Sequence, residues 1–218
     1  MAEFGIIFDM DGVLVNNNQY HYQAWKAICD KYQKPIEDDV YRDKMNGRTL
    51  KALVSFIFGE EQSNEKTLAV GHEKEALYRS LYQPYMEPAE GLFPILSAAY
   101  QNKIPMIVGT SAPKENVRFI IDGLGIGHYF TAILDDRSVI NGKPNPEIYL
   151  KCAKAAGLPN DKCVVIEDAV SGLQAAAAAG SKTIALTTSH SKDELSADLI
   201  IDSFKSLDLK KMRELIFK

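Results

Sequence analysis

A short apolar segment, residues 4–10, constrains the fold most strongly, because it predicts a buried β-strand that leads directly into two carboxylates. Side chains alternate along a strand, so Asp9 and Asp11 are predicted to project to the same side at its carboxyl end, and Gly12 permits a sharp turn. Ligands of open α/β sheets bind at this edge. The two acids suit either a divalent cation or a nucleophile beside a proton carrier. The alternative is a solvated, Asp-rich turn after an edge strand.

From residue 84 onward, segments with helical and strand character alternate. We predict helices over residues 92–101, 114–122 (ended by Gly123), 146–156, 173–179 and 207–216. We predict strands over residues 105–109, 130–134, 163–166, 182–186 and 199–201. This alternation implies right-handed crossovers, and therefore an α/β fold with a doubly wound parallel sheet covered on both faces.

The seventy or so residues after the first strand have helical character with no convincing strand. Four helices are predicted: from Asn17 or Asn18 to Pro35, from Asp38 or Asp39 to Gly47, residues 50–58 between Thr49 and Gly59, and from Ser63 to about Tyr82. We therefore predict a Rossmann-like core formed by residues 1–15 and 88–218, with an inserted four-helix-bundle cap domain, residues 16–87. Because the insertion follows the first strand immediately, the cap is expected to act as a lid over the carboxylates.

A hydroxyl-bearing segment, Thr110-Ser111-Ala112, follows the predicted strand at residues 105–109. A hydroxyl with successive backbone N–H groups at a helix N-terminus can cradle phosphate oxygens. The alternative is a simple N-cap at Thr110 or Ser111. Lys143 lies in a proline-rich helix entry, where the prolines restrict the backbone, although most lysines are solvated surface charges.

A second pair of acids, Glu167 and Asp168, follows the predicted strand at residues 163–166. The alternative role of Asp168 is a helix N-cap. An acidic pair at a strand end that faces another acidic pair is costly through like-charge repulsion, unless a cation lies between them. The pattern therefore favours a metal site.

Composition excludes several classes of function. The 218 residues have a formal net charge of -4, which provides no basic surface for nucleic acid or anionic lipid. No uncharged apolar run approaches the length of a membrane span, and the N-terminal segment fails as a signal peptide. Three cysteines at irregular spacings indicate free thiols in a reducing compartment. We expect a cytoplasmic monomer that binds neither nucleic acid nor a membrane.

The four polar patches, taken in order, resemble the motifs of the haloacid dehalogenase superfamily, and most closely those of its β-phosphoglucomutase-like phosphatases. These motifs are Asp9-Met10-Asp11-Gly12-Val13, Thr110-Ser111, Lys143-Pro144-Asn145-Pro146, and Glu167-Asp168 followed by Gly172 and Ala178-Ala179-Gly180. The resemblance covers essentially the whole chain. The acid at position 11 disfavours the dehalogenases of the family, because a halide leaves without a proton.

The resemblance implies a role for each core motif. Asp9 would attack phosphorus and form an aspartyl-phosphate, and Asp11 would protonate the leaving oxygen and later activate the acceptor. Mg²⁺ would bind Asp9, the backbone carbonyl of Asp11 and Asp168, with Glu167 bound directly or through water. Thr110 and Lys143 would hold the equatorial phosphate oxygens, and Ser111 and Ala112 would contribute to substrate binding.

In the predicted cap, the resemblance implies that His21 and Trp25 bind substrate, and their spacing puts them on one helix face. The alternative is that Trp25 belongs to the core of the bundle and His21 lies at its edge. Lys74, Gly47 and Arg48 are further substrate-binding candidates. The arginine follows Gly47 directly, as in many phosphatases of the group.

We expect a magnesium-dependent phosphatase that acts through an aspartyl-phosphate on a small phosphorylated metabolite, a sugar phosphate in particular. One alternative is a β-phosphoglucomutase, which moves a phosphoryl group between sugar positions through a bisphosphate. Two further alternatives are a phosphoacceptor signalling domain and a catalytically silent binding protein.

Overall fold

The computed structural model describes residues 2–37, 40, 45 and 49–217. The chain divides into two compact units, one formed by Met1–Asn16 with Met86–Lys218 and the other by Asn17–Tyr85. We call them the core unit and the cap unit. We predicted a core domain, residues 1–15 and 88–218, and a cap domain, residues 16–87. That these two parts are separate domains stays a prediction.

The core unit contains one six-stranded parallel sheet. Its strands are β1 (Gly5–Phe8), β2 (Met106–Gly109), β3 (Ala132–Leu134), β4 (Cys163–Glu167), β5 (Lys182–Leu186) and β6 (Leu199–Ile201). The order across the sheet is β3-β2-β1-β4-β5-β6, with every neighbouring pair parallel. This confirms the predicted doubly wound parallel sheet. It places β1 in the interior, where all four of its residues are buried.

The helices connect these strands. Those of the cap unit that lie wholly within the described residues are α1 (Asn18–Lys31), α2 (Leu50–Phe58) and α3 (Asn64–Tyr82). In the core unit they are α4 (Leu92–Gln101), α5 (Lys114–Leu124), α6 (Glu147–Ala156), α7 (Val170–Ala178) and α8 (Leu209–Phe217). Part of the core lies between the sheet and helices α6 and α7, where Ile7, Ile107 and Val165 pack with Tyr149 and Cys152. Burying each of these aliphatic side chains stabilises the fold by about 1.5–3 kcal/mol.

Strand β1 is shorter than the predicted segment, residues 4–10. The carbonyl of Met10 accepts hydrogen bonds from the amides of Val13 and Leu14, which turns the chain away from the sheet. The simple alternation that we predicted to place Asp9 and Asp11 on one side therefore does not apply, because both residues lie beyond the last strand residue, Phe8.

Helix α5 continues past Gly123, which we predicted as its C-cap, and ends at Gly125 with φ of 65°. Gly123 has a packing role instead, because a Cβ at this position would lie 2.4 Å from Sδ of Met86. Only Gly125 needs the left-handed conformation that favours glycine.

The cap unit contains the predicted caps of α2 and α3. The hydroxyl of Thr49 accepts from the amide of Ala52 at 3.3 Å, and that of Ser63 accepts from the amide of Lys66 at 3.2 Å. Helix α1 begins after Asn17, whose side chain makes no capping hydrogen bond, and ends at Lys31, before the predicted stop at Pro35. The predicted second helix, from Asp38 or Asp39 to Gly47, lies mostly outside the described residues, so the four-helix bundle stays a prediction. Across the described ranges, every helix is too short or too polar to cross a membrane.

Candidate active site

The carboxyl ends of three adjacent strands, β2, β1 and β4, meet at one edge of the sheet. Thr110 follows β2, Asp9 follows β1, and Glu167 ends β4 with Asp168 after it. All four residues are buried, and Glu167 is only 1% exposed. The sheet order therefore brings together three of the predicted motifs.

Lys143 joins two of these motifs. Its Nζ atom lies 2.6 Å from Oδ1 of Asp9 and 2.6 Å from Oε1 of Glu167, and it also donates to the carbonyl of Gly109 at 3.4 Å. The two carboxylates outweigh the effect of burial, which by itself would lower the pKa of Lys143, and raise it well above its usual value. Lys143 is therefore a permanent ammonium inside the site.

The loop that contains Lys143 is anchored by Glu147, at the start of α6. The Glu147 carboxylate accepts from the amides of Ile140 and Asn141 at 3.0–3.2 Å, and from Nζ of Lys151 at 2.6 Å. Its own amide donates to Oδ1 of Asn145 at 3.0 Å. The hydrogen bond from Lys151, followed by those from the two amides, lowers the pKa of Glu147 to about 2. These bonds tie both ends of the loop to one helix terminus.

Glu167 uses both carboxylate oxygens inside the protein. Its Oε1 accepts from Lys143 and from the hydroxyl of Tyr149, each at 2.6 Å. Its Oε2 accepts from the amides of Asp168 at 2.9 Å and Ala169 at 3.1 Å. Burial acts to raise the pKa of Glu167, but Lys143 and these hydrogen bonds outweigh it and lower the pKa. Glu167 therefore organises the site as an ionised acceptor.

Three carboxylates, those of Asp9, Glu167 and Asp168, have oxygen atoms within 4.8 Å of one another. At this separation ionised carboxylates repel one another, and Lys143 offsets part of that repulsion. Burial raises the pKa of Asp9 well above its usual value, and Glu167 and Asp168 add to this while Lys143 opposes it. A buried set of closely spaced carboxylate oxygens fits a hard divalent cation such as Mg²⁺. Asp11 is half-buried within the turn that follows β1, and its side chain is not a member of this group.

The segment after β2 does not cap the helix that follows it. Helix α5 has Pro113 as its N-cap, so neither Thr110 nor Ser111 has this alternative role. The hydroxyl of Thr110 accepts from the amide of Ala112 at 3.1 Å, and Ser111 is exposed. The Ala112 amide is thus bound within the loop, and substrate binding by Ser111 and Ala112 stays a prediction. The alternative role of Asp168 is also wrong, because Ala169 is the N-cap of α7.

The loop after β5 also contacts the site, and our sequence analysis missed it. The Thr188 hydroxyl donates to the carbonyl of Gly12 at 2.6 Å, and the Ser189 hydroxyl donates to the carbonyl of Asp168 at 2.7 Å. Nδ1 of His190 lies 3.2 Å from the same carbonyl. Hydroxyl side chains are too common in loops to mark a functional site in the sequence. The only indication was that Thr188 and Ser189 follow a predicted strand.

Within the cap unit, the structure brings three of the predicted substrate-binding residues together. Nζ of Lys74 lies 2.7 Å from Nδ1 of His21 and 5.5 Å from the ring centre of Trp25. The His21 ring stacks on Tyr78 with 3.8 Å between ring centres. Trp25 also belongs to the apolar core of this unit, as the alternative predicted. Gly47 and Arg48 lie outside the described residues.

The cysteines are not candidates for catalysis. Cys29, Cys152 and Cys163 are free and buried. Burial raises the pKa of Cys152, the cysteine packed against β2, to about 12, so it is a neutral thiol at neutral pH.

A family model described as haloacid dehalogenase-like hydrolase matches residues 6–186, which include all four motifs. The chain belongs to the haloacid dehalogenase-like hydrolases. This confirms the family indicated by the motifs and identifies the chain as an enzyme.

Two curated relatives of this haloacid dehalogenase-like hydrolase have known activities. Fructose-1-phosphate phosphatase YqaB from Escherichia coli K12 is 32% identical over 180 residues, covering 81% of this chain and 92% of that protein. Beta-phosphoglucomutase from Bacillus subtilis 168 is 29% identical over 215 residues, covering 96% and 93%. Relatives of the hydrolase thus include a phosphatase and a mutase that act on phosphorylated sugars.

The fold of the hydrolase also matches a solved structure. A haloacid dehalogenase hydrolase of family IA, variant 3, from Entamoeba histolytica superposes with a TM-score of 0.93 and 29% identity, covering 100% of both chains. The comparison supports the α/β fold of the core unit and its parallel sheet.

Proposed function

We propose that this chain is a magnesium-dependent phosphatase that hydrolyses small sugar phosphates through an aspartyl-phosphate on Asp9. The observation that supports this most directly is the position of Lys143, 2.6 Å from both Asp9 and Glu167. A phosphate ester next to Asp9 would meet a buried ammonium and a buried carboxylate nucleophile in one place. Phosphoryl transfer depends mainly on such positioning and charge neutralisation.

In the first step, a carboxylate oxygen of Asp9 forms a bond to phosphorus while the bond from phosphorus to the ester oxygen breaks. Asp11 gives its proton to the departing alkoxide, so the sugar leaves as a neutral alcohol. In the second step, water attacks phosphorus and loses a proton to Asp11, and the bond between phosphorus and Asp9 breaks. Lys143 and Thr110 hold the phosphoryl oxygens throughout.

Asp9 and Asp168, together with the backbone carbonyl of Asp11, would hold the metal. When bound, Mg²⁺ supplies charge neutralisation between the anionic nucleophile and the anionic phosphate. Glu167 already accepts four hydrogen bonds from protein groups, which supports an orienting role for it, with contact to the metal through water.

Steady-state release of inorganic phosphate tests the proposal. The purified protein is assayed with p-nitrophenyl phosphate and a panel of hexose and pentose phosphates, with Mg²⁺ and with EDTA. We expect turnover on several sugar phosphates with Mg²⁺ and none with EDTA. Full activity in EDTA, or no turnover on any ester, would overturn the proposal.

The mutase relative makes β-phosphoglucomutase the second candidate. The contacts of Lys74 with His21 and Trp25 in the cap unit favour it, because the resemblance to β-phosphoglucomutases implies that these residues bind substrate. Both activities would use the same core residues, and they differ in whether water or a sugar hydroxyl accepts the phosphoryl group.

A coupled assay separates the two candidates. The protein is incubated with Mg²⁺, β-glucose 1-phosphate and a trace of glucose 1,6-bisphosphate, and both inorganic phosphate and glucose 6-phosphate are measured. Phosphate release from the sugar phosphate supports the phosphatase. Rapid isomerisation with negligible phosphate release supports the mutase.

A further inference from the structure

The loop that follows β5 contains two neighbouring hydroxyl groups, on Thr188 and Ser189, that bind two different motifs. Thr188 donates to the carbonyl of Gly12, and Ser189 donates to the carbonyl of Asp168. In sequence these partners are 176 and 21 residues away. The loop thus connects the turn after β1 to the turn after β4.

The hydrogen-bond distances indicate what Thr188 does. Its Oγ1 lies 2.6 Å from the Gly12 carbonyl and 3.4 Å from Oδ2 of Asp168. A hydroxyl has one proton, so this proton goes mainly to the nearer acceptor, the carbonyl. Thr188 therefore fixes the backbone of the turn in which Asp11 immediately precedes Gly12.

His190 strengthens the second contact. Because the Ser189 proton goes to the Asp168 carbonyl, the Ser189 oxygen accepts from Nδ1 of His190, 2.7 Å away. This assigns the proton to Nδ1, which also points to the Asp168 carbonyl at 3.2 Å. This proton goes mainly to the nearer acceptor, Ser189, so His190 holds the Ser189 hydroxyl in position to donate to Asp168.

We propose that Thr188 and Ser189 are positioning residues that keep the Asp11–Gly12 turn and Asp168 at the separation needed to bind a divalent cation. The inference rests on the proposed function, since it assigns these backbone groups to a metal-dependent site. Groups that hold metal ligands in place usually change metal affinity or activity by about 10–100-fold when they are removed.

The chain offers a matched set of variants. Thr188→Val removes the donor and keeps the shape, and Thr188→Ser keeps the donor. Ser189→Ala removes the second hydroxyl. Thr187→Val is the control, because the Thr187 hydroxyl binds Asp202, an exposed side chain away from the motifs.

Binding of Mn²⁺ to the full chain is measured by electron paramagnetic resonance, alongside kcat and KM for p-nitrophenyl phosphate with Mg²⁺ and the melting temperature of each variant. For Thr188→Val we expect Mn²⁺ affinity to fall by about 10-fold and kcat by about 10–100-fold. For Ser189→Ala we expect a smaller loss of affinity, because the Nδ1 proton of His190 no longer has Ser189 as acceptor and can go to the Asp168 carbonyl. Thr188→Ser and Thr187→Val should stay within about threefold of wild type.

Each other outcome has a defined meaning. Wild-type Mn²⁺ affinity in Thr188→Val would overturn the inference, and so would equal losses in Thr188→Val and Thr188→Ser. If wild type binds Mn²⁺ but hydrolyses no ester, the proposed function fails while the binding data still decide the positioning role. If wild type neither binds Mn²⁺ nor hydrolyses esters, both proposals fail. Should Thr188→Val fail to fold, unchanged affinity in Ser189→Ala would overturn the inference.

Discussion

At the residue scale, Asp9 is the group on which the proposed chemistry depends. It is buried beside Lys143 and close to two further acids, Glu167 and Asp168. This environment suits a nucleophile that approaches an anionic phosphate, because one ammonium and one bound cation would together neutralise the charge.

Replacing Asp9 with Asn should reduce turnover more than 100-fold, since the amide is a poor nucleophile and a poor metal ligand. Without Mg²⁺, the variant should melt at the same temperature as wild type or higher, because one of three mutually repelling carboxylates is gone. Phosphate release and thermal unfolding measure the two effects. Activity above about one hundredth of wild type would rule out Asp9 as the nucleophile.

Gly172 tests the orientation of Glu167. A Cβ at position 172 would lie 1.8 Å from Oε1 of Glu167, so Gly172→Ala must displace the acceptor of Lys143 and Tyr149. We expect activity to fall by about 10–100-fold, with a lower melting temperature.

Gln174→Ala is the control for Gly172→Ala, because residue 174 is exposed on the same helix. It should change neither activity nor melting temperature. Wild-type activity in Gly172→Ala would show that the orientation of Glu167 is unimportant.

At the element scale, the backbone of the loop of residues 140–146 is held at the N-terminus of α6. The Glu147 carboxylate accepts hydrogen bonds from the backbone amides at the start of this loop. The Glu147 amide donates to the side chain of Asn145 near the end of the loop. The loop can therefore present Lys143 to Asp9 although it belongs to no strand.

Glu147→Gln should lower kcat/KM by about 10-fold, because an amide has one acceptor oxygen in place of two and Lys143 loses its fixed loop. The variant should also alter the pH dependence of stability. The pKa of Glu147 is lowered from 4.5 to about 2, so its stabilisation is complete above pH 4.5 and is lost as the pH falls toward 2.

Melting temperatures of wild type and Glu147→Gln between pH 6 and pH 2 measure this effect. The difference between the two proteins should shrink as the pH falls. A difference that is independent of pH would show that the Glu147 carboxylate does not act through its charge.

At the scale of the whole molecule, cation binding should stabilise the folded state, because the site is assembled from strands that are distant in sequence. Strands β1 and β4 are neighbours in the sheet, although more than 150 residues separate them along the chain. The unfolded chain has no such site, so a cation that binds the folded form raises its stability.

We expect Mg²⁺ at 100 times its dissociation constant to stabilise the protein by about 2.7 kcal/mol. Thermal unfolding with Mg²⁺ and with EDTA measures the effect. Asp168→Asn serves as the control and should lose most of the stabilisation. An equal shift in this variant and in wild type would place the cation elsewhere on the molecule.

Local patterns in the sequence were sufficient for most of the elements. The apolar runs of β5 and β6, the helix over residues 92–101 and the caps at Thr49 and Ser63 depend on contacts within a few residues, and the structure confirms them. Some boundaries were wrong. Strand β1 ends early at a local turn, and helix α5 continues through Gly123, where Met86 leaves little room for a side chain, to Gly125.

The motifs at the strand ends were recognisable from sequence, because an apolar run followed by an acid or a hydroxyl is a local signal. Tyr149, Thr188 and Ser189 were not recognisable. A tyrosine in a helix and two hydroxyls in a loop are ordinary residues until the sheet order places them beside Glu167, Gly12 and Asp168. The sequence by itself determined which residues could perform the chemistry. The tertiary structure decided which residues hold them in place, because hydrogen bonds between distant segments depend on the packing of the whole sheet.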